Sequence, residues 1–377
     1  MLRPNRLLLA IPVLLAACAA PTSDDPATEA AAISGEALGE KLEPNEAALV
    51  QEVAAAATTQ LSQAHDKSTD KVARRDAHPK AHGCVTGSLA MDADIPRDLR
   101  VGTFQPGKRY DAWVRFSNGS NADDRSNDAR GMAVKLLGVD GTRLLAGESP
   151  TARTHDLVLT NHDRFFLTNI TDYVKFMQTV TDKGNPISFF ISFNIFDLHI
   201  REAILAREFT TQPITSPLTS RYWSATPYQL GSQAVKYSMA PCDGADASGH
   251  HPDDSNYLGK ALKSELSSGG GCFKLMVQRR GDAQAMPVED STVRWEEGQS
   301  QFVTIGKLTI PQQTFDSPEQ MKYCENLSFT PWHATDQHRP LGSLNRTRRV
   351  VYEATSTLRH RLNGTARVEP INLAVPQ

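Results

Sequence analysis

The sequence predicts an α+β fold in which antiparallel strands close into a barrel and helices flank it. Segments with helical spacing of apolar residues lie at both ends and in the middle of the chain, and two blocks of alternating apolar and polar residues lie between them. Gly and Pro, 24 and 22 of the 377 residues, suit a chain with many turns. Because no internal repeat and no linker after residue 70 is recognisable, we expect residues 45–377 to form one domain.

The N-terminus has the features of an export signal. Arg3 and Arg6 precede the apolar residues 7–15, a run too short to span a bilayer. The run ends in Leu-Ala-Ala-Cys18, which resembles a bacterial lipobox and implies cleavage before Cys18 and its lipidation. The alternative is an ordinary cleaved signal peptide. We therefore expect residues 1–17 to be a signal peptide and residues 18–44 to be a lipidated cysteine and a flexible tether.

This N-terminus also predicts a location. A lipidated Cys18 would hold the protein at a membrane, facing the periplasm. Ala19 follows in place of a retention-type Asp, which favours the outer membrane of a Gram-negative bacterium. The formal net charge of −3 and the lack of a basic stretch argue against nucleic acid as a partner.

The first half of the domain reads as a helix, four strands and a second helix. Residues 45–64 have helical spacing, with Leu49, Val53 and Leu61 on one side. Residues 187–205 are apolar but interrupted by charged residues, so we expect a buried segment there and no membrane span. The strands are predicted at 83–91, 110–117, 131–137 and 155–160, and the second helix at 170–180.

The second half is predicted to contain a strand pair, a helix, further strands and two final helices in that order. A helix is predicted over residues 254–268, with Asp253 or Asp254 as its cap, and helical spacing returns after Ser317. A last helix is predicted over residues 344–361. The strands are predicted as a pair within 222–241 and as single strands at 272–278, 291–295 and 302–310.

Four cysteines remain after Cys18: Cys84, Cys242, Cys272 and Cys324. An even number in an oxidising compartment permits two disulfides, in any of three pairings. Four separate buried thiols are an equal alternative, and the sequence leaves the choice open.

The C-terminal helix carries a pair of residues that could bind iron. Arg348 and Tyr352 are four residues apart, so they lie on one face of the helix. A guanidinium that donates to a phenol oxygen favours the phenolate, which is a hard anionic ligand suited to ferric iron. Because this spacing is common by chance, the pair indicates an iron ligand only in a wider context.

That context is a resemblance to catalases. Residues 352–364, YEATSTLRHRLNG, resemble the proximal helix of catalases, in which the ligand tyrosine is soon followed by RHRLG, although the spacing here is slightly longer. Further segments agree in the family's order: RDAH at 75–78, RFS at 115–117, DARGMAVK at 128–135, and DLVLTNHDRFF at 156–166. The resemblance covers residues 74–373 and suggests the catalase superfamily, whose barrel encloses a haem.

The resemblance implies a role for each matching residue. Tyr352 would bind the iron of haem b, supported by Arg348, and His78 and Asn161 would handle a peroxide on the opposite, distal face. A neutral imidazole can take a proton from one peroxide oxygen and return it to the other, while an amide orients the substrate without adding charge. The remaining haem contacts would come from Arg75, Arg115, Ser117, Phe165, Phe166 and Arg359.

The chain also departs from the catalase pattern. The stretch after His78 is shorter than in catalases, so His82 competes as the distal base, although Arg75 three residues earlier favours His78. Tyr173 is the best match for the phenylalanine that stacks on the haem. Since the long N-terminal arm and the C-terminal helical domain of large catalases have no counterpart, we expect wider access to the site and a monomer or homodimer.

These features predict an enzyme that decomposes hydrogen peroxide or organic and lipid hydroperoxides with a haem, as a catalase or peroxidase does. The alternative is a non-catalytic haem-binding lipoprotein on a catalase scaffold. The intact set of Arg75, His78, Asn161 and Tyr352 favours the enzyme.

Overall fold

The computed structural model describes residues 35–145, 152–183, 187–190, 199–211, 214–244 and 252–375. The predicted signal peptide, Cys18 and most of the predicted tether lie outside these residues. The helices are α1 Glu46–Lys67, α2 Ile170–Lys183, α3 Ile187–Phe190, α4 Ile200–Thr210, α5 Tyr257–Ser268, α6 Pro318–Asn326 and α7 Ser343–Asn363. The strands are β1 Ala81–Met91, β2 Arg109–Asn118, β3 Arg130–Leu137, β4 Thr154–Thr160, β5 Tyr222–Trp223, β6 Tyr228–Leu230, β7 Gln233–Pro241, β8 Gly271–Arg279 and β9 Phe302–Ile310.

The strands form an antiparallel barrel. They are ordered β5-β4-β3-β2-β1-β9-β8-β7-β6, and β5 pairs with both β4 and β7, which closes the sheet on itself. The short strand β6 extends β7 as a hairpin outside this ring. Apolar side chains that alternate along the strands, such as Leu89, Val114, Phe116 and Tyr237, are buried in the barrel core. The predicted α+β barrel is therefore confirmed.

Three helices form a layer beside the barrel. Val53 of α1, Ile170 and Met177 of α2, and Val350 and Val351 of α7 are buried against one another. Val53 is one of the positions that the helical spacing of its segment predicts on one side of the helix. The layer places one side of α7 towards the barrel.

One predicted strand is absent. Residues 291–293 form a turn and a bend, and residues 294–295 have no regular structure, although Trp295 is only 3% exposed. The Asp290 carboxylate accepts hydrogen bonds from the backbone N–H and the hydroxyl of Thr292, at 2.9 and 2.5 Å. This local side-chain bonding competes with strand pairing. The prediction of a strand here was wrong, because the side chain of Trp295 is buried without its backbone being paired in a sheet.

Two helical predictions differ in detail. Helix α5 begins at Tyr257 and not near Asp254, because the Asp254 carboxylate accepts from the Asn256 N–H at 2.8 Å in a turn before the helix. The segment 187–205 is not uniformly buried, since Ile200 and Ile204 of α4 are 60% and 55% exposed. None of the helices within the described part of the chain is long and apolar enough to cross a membrane.

The four cysteines form two disulfides. Cys84 of β1 is bonded to Cys324 of α6, and Cys242 is bonded to Cys272 of β8. This settles a pairing that the sequence left open. The first bond joins residues 240 positions apart, and the second joins residues 30 positions apart.

Residues 35–44, which we assigned to the tether, contact the domain. Glu40 is 1% exposed, and its carboxylate pairs with Arg339 at 2.6 Å and with Arg346 at 2.7 Å. Arg346 also pairs with Glu46 of α1 at 2.5 Å. Buried charges need such partners, and partners about 300 residues apart along the chain cannot be recognised from composition.

Buried histidines predict acid sensitivity. Burial lowers the pKa of His82 and of His338 to about 3. These imidazoles stay neutral in the folded protein, whereas the unfolded chain binds protons below about pH 6.5. The free energy of unfolding should therefore fall as pH falls from 6.5 towards 4, by up to about 1.4 kcal/mol per histidine per pH unit. Asp76, whose pKa burial raises to about 7, opposes this trend as a single group.

Urea unfolding at several pH values measures the effect. His338 Nε2 accepts from the Thr103 N–H at 2.9 Å, and a glutamine amide oxygen could accept in its place. The His338→Gln variant should therefore lose stability less steeply as pH falls. An equal slope in the variant and the unchanged protein would contradict the assignment.

Candidate active site

A cavity lies between the barrel and the helical layer. Its volume is about 230 Å³. Strands β2, β3 and β4 and the segment before β1 line it on one side, and helices α2 and α7 line it on another. The lining residues include most of those the sequence singled out: Arg75, His78, Arg115, Ser117, Phe165, Tyr173, Arg348, Tyr352 and Arg359.

Tyr352 and Arg348 form the predicted pair on α7. Arg348 Nη2 donates to the Tyr352 phenol oxygen at 3.0 Å, and Arg348 Nη1 donates to Asn345 Oδ1 at 3.1 Å. Asn345 is fully buried and also accepts from Thr226 at 3.1 Å, so its side chain is fixed. Burial alone would lower the pKa of Arg348, but the phenol oxygens of Tyr352 and Tyr228 outweigh burial and raise it. Arg348 therefore stays cationic beside the phenol.

His78 is held in a strained backbone conformation. Its φ of 62° is in the left-handed region, which costs a residue with a side chain about 1–3 kcal/mol. Its N–H donates to Gly119 O at 2.7 Å, and its carbonyl accepts from Arg115 Nη2 at 2.9 Å. The imidazole Nδ1 is 3.1 Å from Ser117 Oγ, within hydrogen-bond distance. These contacts fix the imidazole at the cavity wall.

Gly131 of β3 makes room for that ring. A Cβ added at Gly131 would lie 2.6 Å from two atoms of the His78 imidazole and 2.9 Å from Ser117 Oγ. Burial lowers the pKa of His78 to about 4, helped by the nearby Arg115 cation. The imidazole is therefore neutral near pH 7 and can accept a proton.

Three arginines converge at another part of the cavity. Arg75 pairs with Glu325 at 2.9 Å, and Arg115 approaches the same carboxylate at 4.0 Å. Arg359 donates to the carbonyls of Glu325 and Leu327. Burial and the neighbouring cations lower the pKa values of Arg115 and Arg359 to about 9. Three guanidiniums facing one carboxylate leave an excess of positive charge suited to anionic groups.

Two predicted site residues, Phe166 and Asn161, do not line the cavity. Phe166 packs among other aromatic rings, including Phe176 and Phe209. Asn161 is 5% exposed, and its Oδ1 accepts from the Arg130 N–H at 2.7 Å. Its Nδ2 is buried and has no hydrogen-bond partner among the described residues.

His82, the competing distal base, is also away from the cavity lining. It is 5% exposed, and its Nδ1 is 3.8 Å from Asp124. Only His78 of the two candidates therefore borders the space that a substrate could enter.

The site contains residues that the sequence did not single out. Asp76 lines the cavity between Arg75 and His78, and burial raises its pKa to about 7. Glu325 and Asn345 hold the cavity arginines. Asp76 could have been found from the sequence, because it lies inside the RDAH motif. Glu325 and Asn345 lie in no motif that points to the site.

The residues present fit a haem by their chemistry. A phenol with a guanidinium donor offers an oxygen ligand, the three arginines can bind two propionates, and Arg115 Nε is buried without a hydrogen-bond partner among the described residues. The cavity is smaller than the ~300–1,000 Å³ of ordinary ligand pockets, so a macrocycle requires lining side chains to move apart. In the described part of the chain, no group of three or more His, Cys, Asp or Glu side chains could hold a bare metal ion.

Solved structures of catalases resemble this protein. A bacterial catalase has a TM-score of 0.58 at 17% identity over 84% of this chain, a fungal catalase 0.59 at 18% over 82%, and catalase A from Saccharomyces cerevisiae 0.59 at 17% over 80%. The chain spans 62–63% of the length of those catalases. No protein-family model matches the sequence, and no curated protein sequence matches it significantly. The likeness shows that this chain has the catalase fold.

Proposed function

We propose that this protein binds haem b in the cavity and breaks down hydrogen peroxide or organic hydroperoxides. The observation that carries the proposal is that Tyr352, with Arg348 donating to its phenol oxygen, lines the same cavity as His78. An oxygen ligand and a neutral base on one cavity are the two groups that haem-dependent peroxide cleavage requires of the protein.

The haem, when bound, would supply the iron that exchanges electrons with the peroxide. His78 would accept the proton from one peroxide oxygen and return it to the other, which would leave as water or an alcohol. The hydrogen bond between Ser117 and Nδ1 orients the ring for this task, and the low pKa of His78 keeps it neutral. Because His78 both accepts and returns the proton, this route does not need a second, charged proton donor in the cavity.

Arg75, Arg115 and Arg359 would hold the haem propionates. A guanidinium donates two parallel hydrogen bonds to a carboxylate, which fixes orientation as well as affinity. Arg115 also donates to the carbonyl of His78, so the proposed anion site contacts the proposed distal base.

The sequence adds two further parts to the proposal. An accessible cavity with apolar lining residues such as Met132, Leu159 and Phe209 suits organic and lipid hydroperoxides. Lipidation of Cys18 would bring the enzyme to a membrane where such substrates arise. Both remain expectations from the sequence, as does a monomer or homodimer.

A haem-binding protein without peroxide chemistry is the second candidate. One observation favours it: Asn161, the predicted partner of His78, does not line the cavity. Without the amide, the orientation of a peroxide would depend on His78 alone.

Replacing the proposed ligand tests the haem site. In Tyr352→Phe the ring remains but the oxygen is lost, so we expect haem retention to fall about tenfold or more and the iron spectrum to change. Spectroscopic titration of the purified protein with ferric haem measures both. Tyr323→Phe, outside the cavity, is the matched control and should leave the spectrum unchanged. Identical spectra of Tyr352→Phe and the unchanged protein would rule out this ligand.

Replacing the two histidines tests the distal base. His78→Ala should keep its haem and lose peroxide consumption by about 100-fold or more, the usual contribution of a general base. His82→Ala should keep most of its activity per bound haem, because His82 does not border the cavity. Oxygen release and hydroperoxide consumption by the haem-loaded proteins measure this. Loss of activity in His82→Ala alone would reverse the assignment, and no activity in the unchanged protein would favour haem binding without catalysis.

A further inference from the structure

The C-terminal end of helix α6 holds the cavity arginines in place. The last carbonyls of a helix have no partner within it. Here Arg75 Nη2 donates to Cys324 O at 3.1 Å and to Leu327 O at 2.6 Å, and Arg359 donates to Glu325 O and to Leu327 O. We call residues 324–327 the α6 platform. Two of the three cavity arginines are therefore oriented by one short backbone segment.

A disulfide attaches this platform to the barrel. Cys324 is bonded to Cys84 of β1, and both are almost fully buried, at 1% and 0% exposure. Cys84 is the residue that pairs with Arg115 in the register of β1 and β2. The bond therefore fixes the platform beside the strand position that carries the third arginine.

Glu325 completes the arrangement. Its carboxylate is 2.9 Å from Arg75 and 4.0 Å from Arg115, and it is the residue next to the disulfide. Burial alone would raise the pKa of Glu325, but the three arginines outweigh burial and lower it, so it is ionised. One carboxylate against three guanidiniums leaves two positive charges, which match two carboxylates of a ligand.

We propose that the Cys84–Cys324 disulfide and Glu325 form one positioning unit that presents Arg75, Arg115 and Arg359 as a site for a dicarboxylate porphyrin. The inference rests on the proposed haem function and extends it. The disulfide fixes where the arginines lie, so the ordering cost is met before the ligand arrives. Without ligand, the Glu325 carboxylate offsets part of the positive charge of the three arginines. When haem binds, a propionate would replace this carboxylate as a partner of the arginines.

The second disulfide provides a matched control. Cys242 and Cys272 are already joined by a backbone hydrogen bond of 3.0 Å, from the Cys242 N–H to Cys272 O. Neither cysteine lines the cavity. Removal of the Cys242–Cys272 disulfide should affect overall stability without affecting the arginine site.

The test compares ferric haem with haem dimethyl ester, which has the same ring but no free carboxylates. The rate of transfer from the full mature protein to an apo-acceptor measures retention of each. In the Cys84→Ser/Cys324→Ser variant, haem should be lost about tenfold faster, as expected for misplaced charge-assisted hydrogen bonds. Loss of the ester should change less than about twofold. Cys242→Ser/Cys272→Ser should leave the ratio of the two rates unchanged.

Glu325→Gln gives a second test that leaves the disulfide intact. Glutamine keeps an acceptor for Arg75 but removes the charge that competes with a propionate. We expect haem to be lost several-fold more slowly and the ester to be unaffected. If the cysteine variant does not fold, an unchanged ratio of haem loss to ester loss in Glu325→Gln overturns the inference by itself.

The experiments distinguish failure of this inference from failure of the proposed function. If the unchanged protein holds neither haem nor its ester, the proposed function and this inference both fail. If the unchanged protein holds haem but neither variant alters the ratio of haem loss to ester loss, this inference alone is overturned. Equal acceleration of haem and ester loss in the cysteine variant would mean that the disulfide only stabilises the fold.

Discussion

The hydrogen bond from Arg348 to the Tyr352 phenol is the interaction on which the proposed chemistry depends. It requires both residues on one helix face, a partner for the second guanidinium nitrogen, and a wall that excludes water. Helix α7 supplies the spacing, and Asn345 one turn before Arg348 supplies the partner. The helical layer of α1, α2 and α7 buries the other face of α7, so the pair cannot turn away from the cavity.

Buried charge is the second constraint on this structure. Arg75, Arg115 and Arg359 lie near one another in a poorly solvated place, which is unfavourable unless each cation has partners. The carbonyls at the end of α6 and the carboxylate of Glu325 meet this need in the described structure. Three cations beside one internal anion leave an excess of positive charge, which is the basis of the proposed anion site. At the other end of α7, Arg346 is enclosed by Glu40, Glu46 and Glu289, so this buried cation finds its anionic partners within the chain.

The features that the sequence predicted well are those with a local period or a family motif. Alternation and helical spacing located all but one of the long strands and helices, and the motifs located nine cavity-lining residues, from Arg75 to Arg359. The features that the sequence did not reveal depend on side-chain contacts that neither a local period nor a family motif shows. Trp295 is buried without belonging to a strand, and the turn before it is stabilised by the carboxylate of Asp290. The hydrogen bond from the Arg130 backbone to the amide oxygen of Asn161 is another contact that no motif reveals, and the role of Asn161 stays a prediction. The partners of Cys84 and Glu325 are set by how α6 docks on β1.

The most direct measurement is a titration of the purified apoprotein with ferric haem, followed by resonance Raman spectroscopy. We expect saturation at one equivalent and the vibrations of a tyrosine phenolate bound to ferric iron, because the phenol of Tyr352 lines the cavity and accepts a hydrogen bond from Arg348. Haem that binds with the vibrations of a histidine or water ligand, or haem that does not bind saturably, would contradict the assignment of Tyr352 and with it the proposed peroxide chemistry.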